Sequence, residues 1–177
     1  MRVHCMKRIT IRHWSLINYF RNREVEEVEI DLLVNHLEFK EKVIEWLNDE
    51  FGGENSREFY KGIINNSLRD KYLPITFVVI ENNELVGTVG VWRGDLLSRQ
   101  DLYPWISALV VHANYRNKGI GKVLQQYALN YCSSLNFKEA YLYTDIENYY
   151  EKSGWKIIDE GYEYSGEKVK IFKYELI

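Results

Sequence analysis

The sequence predicts an α/β (α+β) fold: a mixed central β-sheet flanked by helices, with element order βααβββαβαββ. Three observations lead there. Hydrophobic periodicity switches repeatedly between two and 3.6 residues along the chain. Helical stretches are interspersed among the strands instead of forming a separate block. The 177 residues, 46% hydrophobic and 28% charged, suit one domain with a substantial core.

In chain order, Val28, Ile30, Leu32 and Val34 alternate with polar neighbours, apart from Leu33, so residues 25–34 predict a strand. Over residues 38–51 the period changes, and Phe39, Val43, Ile44, Trp46, Leu47 and Phe51 share one helical face, ended by Gly52-Gly53. Asn55 with Glu58 resembles a capping box opening a second helix through Phe59, Tyr60, Ile63, Ile64 and Leu68, with Pro74 beyond it. ITFVVIE and LVGTVGVW flank Asn82-Asn83 as a hairpin. A polar loop at 93–101 precedes a further strand, LYPWISALVV. Val123, Leu124, Tyr127, Ala128, Tyr131 and Leu135 predict an amphipathic helix, EAYLYT a strand and Ile146–Ser153 a short helix. Two last strands surround the Ser165-Gly166 turn.

Residues 1–23 differ from the rest. Arg2, Lys7, Arg8, Arg12, Arg21 and Arg23 are basic and no acid precedes Glu24, which suits a solvated extension or a basic partner-binding arm. The domain proper is expected over 24–177. A formal charge of −3 argues against a general nucleic-acid binder, and no stretch approaches the roughly 20 apolar residues of a membrane span. A secretory leader pattern is missing, and Cys5 and Cys132 form neither a disulfide framework nor metal-ligand spacing. The expectation is a cytoplasmic protein with no metal. With fourteen tyrosines and five tryptophans, no aromatic carries weight without context.

The chemistry concentrates where an apolar strand hands over to a helix through Arg116-Asn117-Lys118-Gly119-Ile120-Gly121-Lys122. Unpaired amides at a helix start, glycines without Cβ and a cluster of cations make an anion site suited to pyrophosphate. The P-loop pattern fails, because Val123 follows Gly121-Lys122. The dinucleotide fingerprint fails too, because Leu124 stands at its third glycine. A plain glycine-rich turn is the alternative.

Arg116-Asn117-Lys118-Gly119-Ile120-Gly121 resembles the Arg/Gln-x-x-Gly-x-Gly/Ala motif of the GNAT family of N-acetyltransferases. LVVHANY resembles the strand leading into it, with Ala113 at a frequent Pro. Tyr149-Tyr150-Glu151-Lys152-Ser153-Gly154-Trp155 resembles the family's Phe-Tyr-Glu-Lys-Leu-Gly-Phe segment at a familiar separation. The resemblance covers residues 25–177 and implies transfer of the acetyl group of acetyl-CoA to an amine. It implies that Leu109, Val110 and Val111 pair with the pantetheine arm, that Arg116 through Lys122 hold the pyrophosphate, and that Asn148 and Tyr149 flank the coenzyme. It gives Tyr150 the role of general acid toward the departing thiolate.

The base stays open. The strand before the phosphate loop, Pro104-Trp105-Ile106-Ser107, carries no carboxylate, and Asp101, Asp145, Glu147 or a water chain are candidates. The family's Asn-x-x-Ala element is shortened to Thr144-Asp145-Ile146-Glu147-Asn148. An acceptor pocket is expected from Trp46, Tyr103 and Trp105, with Trp92 and Tyr162 near, and Asp49, Glu50, Asp95 and Asp101 available to attract a cation. His112 reads as surface or packing. The acceptor is a small amine or aminoglycoside-like molecule, or a peptide or protein N-terminus. The alternative is a coenzyme-binding regulatory or interaction domain. A homodimer is compatible with either.

Overall fold

The structure, a computed structural model, describes residues 28–146 and 148–176. The basic extension 1–23, the start of the first expected strand and Glu147 lie outside the described residues. Seven strands form one sheet: β1 (Val28–Leu32), β2 (Ile75–Glu81), β3 (Glu84–Trp92), β4 (Trp105–Val111), β5 (Glu139–Thr144), β6 (Lys156–Tyr162) and β7 (Lys168–Glu175). Their spatial order is β1-β2-β3-β4-β5-β7-β6. All neighbours are antiparallel except β4 and β5, which run parallel. The sheet is mixed and flanked by helices, as the periodicities predict.

Helices cover both faces. Over one lie α1 (Lys40–Phe51) and α2 (Arg57–Ser67), where Val43, Ile44, Leu47 and Ile64 pack on Val78, Ile80, Trp92 and Val110. Over the other lies α3 (Ile120–Ser134), whose Ile120, Leu124, Ala128, Leu129 and Cys132 meet Phe77, Val79, Val89, Val91 and Ile106. Burial on both sides explains why β2 reads as a continuous apolar run: all seven of its residues are buried. A third cluster, Leu96, Leu102, Trp105, Tyr141, Val169 and Ile171, fastens the loop before β4 against β5 and β7.

Several local expectations are corrected. The chain leaves β1 after Leu32 and turns through a short 3₁₀ segment that buries Leu33, the residue that broke the alternation. Phe51 and Phe59 stay more than half exposed. The capping box does not form: Asn55 is left-handed, and the Ser56 hydroxyl binds back to Gly53 and Asn48 instead of capping α2. Ile146–Ser153 is not a helix, only a single 3₁₀ turn at Glu151–Ser153. Asn148 sits at φ +60°, which breaks helical continuity there. LYPWISALVV becomes strand only from Trp105.

Candidate active site

The site begins with a fault in the sheet. Ser107 pairs with Gly90 and Val110 with Thr88, so β4 carries one extra residue against β3. That residue is at Ala108, where φ is +53°, a bulge that bends the strand. On the other side β4 pairs with β5 only at Trp105 opposite Tyr141. Beyond that step the strands part, and Leu109, Val110 and Val111 run along one wall of the resulting wedge. Leu109 and Val111 side chains pack toward the α3 face and Val110 toward the α1 face, so what they offer the wedge is main chain.

At the wide end the chain passes a short 3₁₀ turn, Ala113–Tyr115, and enters α3. Gly119 is the N-cap, at φ +85°, a conformation costly for any residue with a Cβ. Asn117, at φ +60°, adds a second left-handed turn, and no side chain caps α3. The amides of its first turn therefore face outward, the arrangement that takes an anion. Ile120 is buried, so only its main chain can serve a ligand. A Cβ on Gly121 would lie 3.2 Å from the Tyr149 hydroxyl and 3.8 Å from Val111. The tyrosine segment thus closes over the glycine turn.

The cations around this turn are held from several sides. Arg116 donates to the Val111 carbonyl at 2.9 Å and pairs with Glu50 of α1 at 2.9 Å. Glu50, one of the acids expected to attract an acceptor, is thereby engaged with Arg116. Lys118 lies over the Tyr115 ring at 4.8 Å. Lys122 is exposed on the first turn of α3. A polar cleft of about 360 Å³ opens beside Lys118 and His112.

Tyr150 packs edge-on to Tyr149 at 4.9 Å and lies near Phe172 and Trp155. Burial, with Tyr149 beside it, pushes its hydroxyl up to about 12, so it keeps its proton at neutral pH. Asn148 is exposed next to it. The rest of the Tyr-Glu-Lys-Ser-Gly-Trp segment is architectural. Gly154 turns at φ +93°, and Trp155 buries itself against α3, donating to the Gln125 side chain at 2.9 Å.

The residues expected to line the acceptor pocket do not come together. Trp46 stacks on His112 at 5.5 Å, just past the far end of β4. Trp105 begins that strand, is fully buried and donates to the Leu102 carbonyl. Tyr103 packs edge-on to Phe137. Trp92 is core and Tyr162 exposed. Of the base candidates, Asp101 is clamped by Arg99 through hydrogen bonds of 2.9 and 2.8 Å, which hold its carboxyl below the usual range. Such a group is a poor base. Asp145 is exposed beyond β5.

Around Asp95, which the sequence offers only as one of four acids for a cation, the structure sets residues the sequence reading overlooked, where the strands begin to part. Ser107 on β4 and Tyr143 on β5 each stand two residues past the Trp105–Tyr141 step. Asp95 comes in from the β3–β4 loop, with Tyr60 of α2 and Glu163 of the β6–β7 turn close by. The available signal was faint: a lone small hydroxyl, Ser107, inside an apolar strand.

Residues 40–155 match the profile of the Acetyltransferase (GNAT) family. The chain belongs to that family. Solved structures share the fold at low identity. An aminoglycoside 6'-N-acetyltransferase from Enterococcus faecium is 19% identical with a TM-score of 0.64, over 84% of this chain and 97% of that one. The NatC complex bound to Gag peptide and coenzyme A gives 18%, 0.63, 85% and 99%. Ard1 from Thermoplasma volcanium gives 17%, 0.61, 85% and 98%. A search of curated proteins finds no match.

Proposed function

We propose that the chain is an N-acetyltransferase that moves the acetyl group of acetyl-CoA to a primary amine by direct attack in a ternary complex. The observation that carries this is the wedge: a parted strand pair with a glycine-started helix that no side chain caps at its wide end and a largely buried tyrosine beside it. Main chain from Leu109 to Val111 supplies hydrogen-bonding groups for the amide-bearing pantetheine arm. The amides from Asn117 to Lys122 take the pyrophosphate, the Arg116 amide being held by the Ala113 carbonyl, and Asn148 and Tyr149 flank it. Tyr150 gives its proton to the departing thiolate. The acceptor is a small amine or aminoglycoside-like molecule or a peptide or protein N-terminus; an aminoglycoside acetyltransferase and a complex bound to a peptide are among the structural neighbours.

The test is release of free coenzyme thiol from acetyl-CoA over a panel of amines and peptides, with Tyr150→Phe beside the wild type. Loss of one hydroxyl should leave coenzyme affinity unchanged and lower the single-turnover rate by roughly 10²–10⁴-fold. Rates within about threefold would remove Tyr150 from the chemistry. Coenzyme binding without turnover on any acceptor would instead favour a regulatory domain.

A further inference from the structure

We propose that Asp95 is the base that takes the proton from the acceptor's ammonium group, and that Ser107 positions it; this rests on the acetyltransferase reading above. The strand that leads to the glycine turn carries no carboxylate, and Asp101 is locked to Arg99. Asp95 reaches the place where a carboxylate is needed from a different element. Its loop is pinned: Leu96 is buried between β5 and β7 residues, Ser98 donates to the Tyr162 carbonyl at 2.7 Å, and Arg99 bridges to Asp159 at 2.8 Å. The carboxyl is delivered to the first step of the parting, beside Ser107 and across from Tyr143.

A second observation concerns Ser107 itself, whose hydroxyl leans on the Asp95 carboxyl. The Ser107 hydroxyl is buried, the residue being only 4% exposed, yet it completes no hydrogen bond of normal geometry. A buried polar group in that state fits a site completed by a bound molecule. The groups facing Asp95 from neighbouring elements are Tyr60, Ser107, Tyr143 and Glu163. Two carboxylates and two phenols make a place for a cation. Although part of Asp95 reaches the surface, crowding of its carboxyl raises it to about 6; the Ser107 hydroxyl opposes that rise and the Glu163 charge adds to it. A carboxyl so tuned is ionised at neutral pH and still accepts a proton readily.

The step balances. An ammonium N–H bond breaks to Asp95, and the freed lone pair bonds to the thioester carbonyl carbon. The C–S bond breaks with its electrons on sulfur, and the thiolate takes the Tyr150 proton. The second proton shed by nitrogen returns to the tyrosinate through solvent, and Asp95 releases its own. The sum is amide, free thiol and one proton.

Asp95→Asn, Ser107→Ala and Glu163→Gln, each checked for folding and acetyl-CoA affinity by calorimetry, test this with a linear triamine, a deoxystreptamine aminoglycoside and a short peptide as acceptors. Asp95→Asn should keep the coenzyme and lose roughly 10²–10⁴-fold in kcat/KM. Its rate should climb steadily toward the amine's own pKa, where the wild type shows a plateau beginning near 6. Ser107→Ala should move that acid limb to higher pH and Glu163→Gln to lower pH. Addition of formate should partly restore a folded Asp95→Gly variant. A wild type that turns over while Asp95→Asn matches it within threefold at every pH overturns the Asp95 assignment alone. A wild type that binds acetyl-CoA but releases no thiol with any amine overturns the enzymatic function, and the Asp95 role falls with it.

Discussion

Single residues set what can approach the wedge. Gly121 has no Cβ, and the space a side chain would take is bounded by the Tyr149 hydroxyl at 3.2 Å and Val111 at 3.8 Å. Gly121→Val would displace the tyrosine and cover the outward amides of α3. Acetyl-CoA affinity should fall at least tenfold, about 1.4 kcal/mol, with the fold retained; calorimetric titration of the folded variant measures it, and unchanged affinity would remove the anion site from this turn. The glycine turn was legible in the sequence because its chemistry is contiguous, seven residues in one local geometry. The acceptor side was not. Of the group proposed for it, Asp95 is named in the sequence only as one of four acids, while Tyr60, Ser107, Tyr143 and Glu163 come from four other elements, and each is an unremarkable helix, turn or strand residue until the sheet brings them together.

At the scale of elements, periodic segments were legible and aperiodic ones were not. β2, β3, α1 and α3 follow from apolar spacing because burial dictates that spacing. The expected helix at Ile146–Ser153 fails because one left-handed residue, Asn148, outweighs a weak helical pattern. The sequence offers Trp105 as a pocket wall, but its strand position puts it in the core. α3 meets the entry to β6 through the apolar packing of Trp155 and through a buried polar contact, Gln125 with Trp155, in which the Gln125 amide nitrogen completes no hydrogen bond. Gln125→Leu should destabilise the protein by about 1–3 kcal/mol, because it strands the indole N–H. Gln125→Leu with Trp155→Phe should recover part of that loss, since neither polar group remains. Denaturant unfolding of the four-member cycle gives the coupling; strict additivity would show that the contact holds nothing together.

For the whole molecule, the Asp95 carboxyl is a source of instability. Its ordinary value is 3.8 and it stands at about 6 in the folded chain, so the folded state binds its proton more tightly than the unfolded one. Stability from this group is complete below pH 3.8 and is lost as pH rises through 6. Asp95→Asn escapes that loss. It should unfold at a higher temperature than the wild type above pH 7 and at the same temperature near pH 3.5. The gap is at most about 3 kcal/mol, less for the solvent that reaches the residue, and thermal melts across pH measure it. An equal gap at all pH values would show that the charge is not its cause. The protein would then trade stability for a proton acceptor held ready at neutral pH.

The parting of β4 from β5 also changes what kind of object the sheet is. An open seven-stranded sheet has two borders, here β1 and β6, where unpaired main chain meets solvent. This one has a seam as well, with four strands on one side, three on the other and a single Trp105–Tyr141 step stitching them in the strand ladder. Two further borders therefore lie inside the molecule, where the protein's own helices shield them against other chains but leave them open to a slender guest that carries amides of its own. Such a guest works as a borrowed strand: it fastens the two halves while it stays and releases them when it leaves. On the function proposed above, occupancy and rigidity would rise together, because a guest in the seam adds pairing that the strand ladder lacks there.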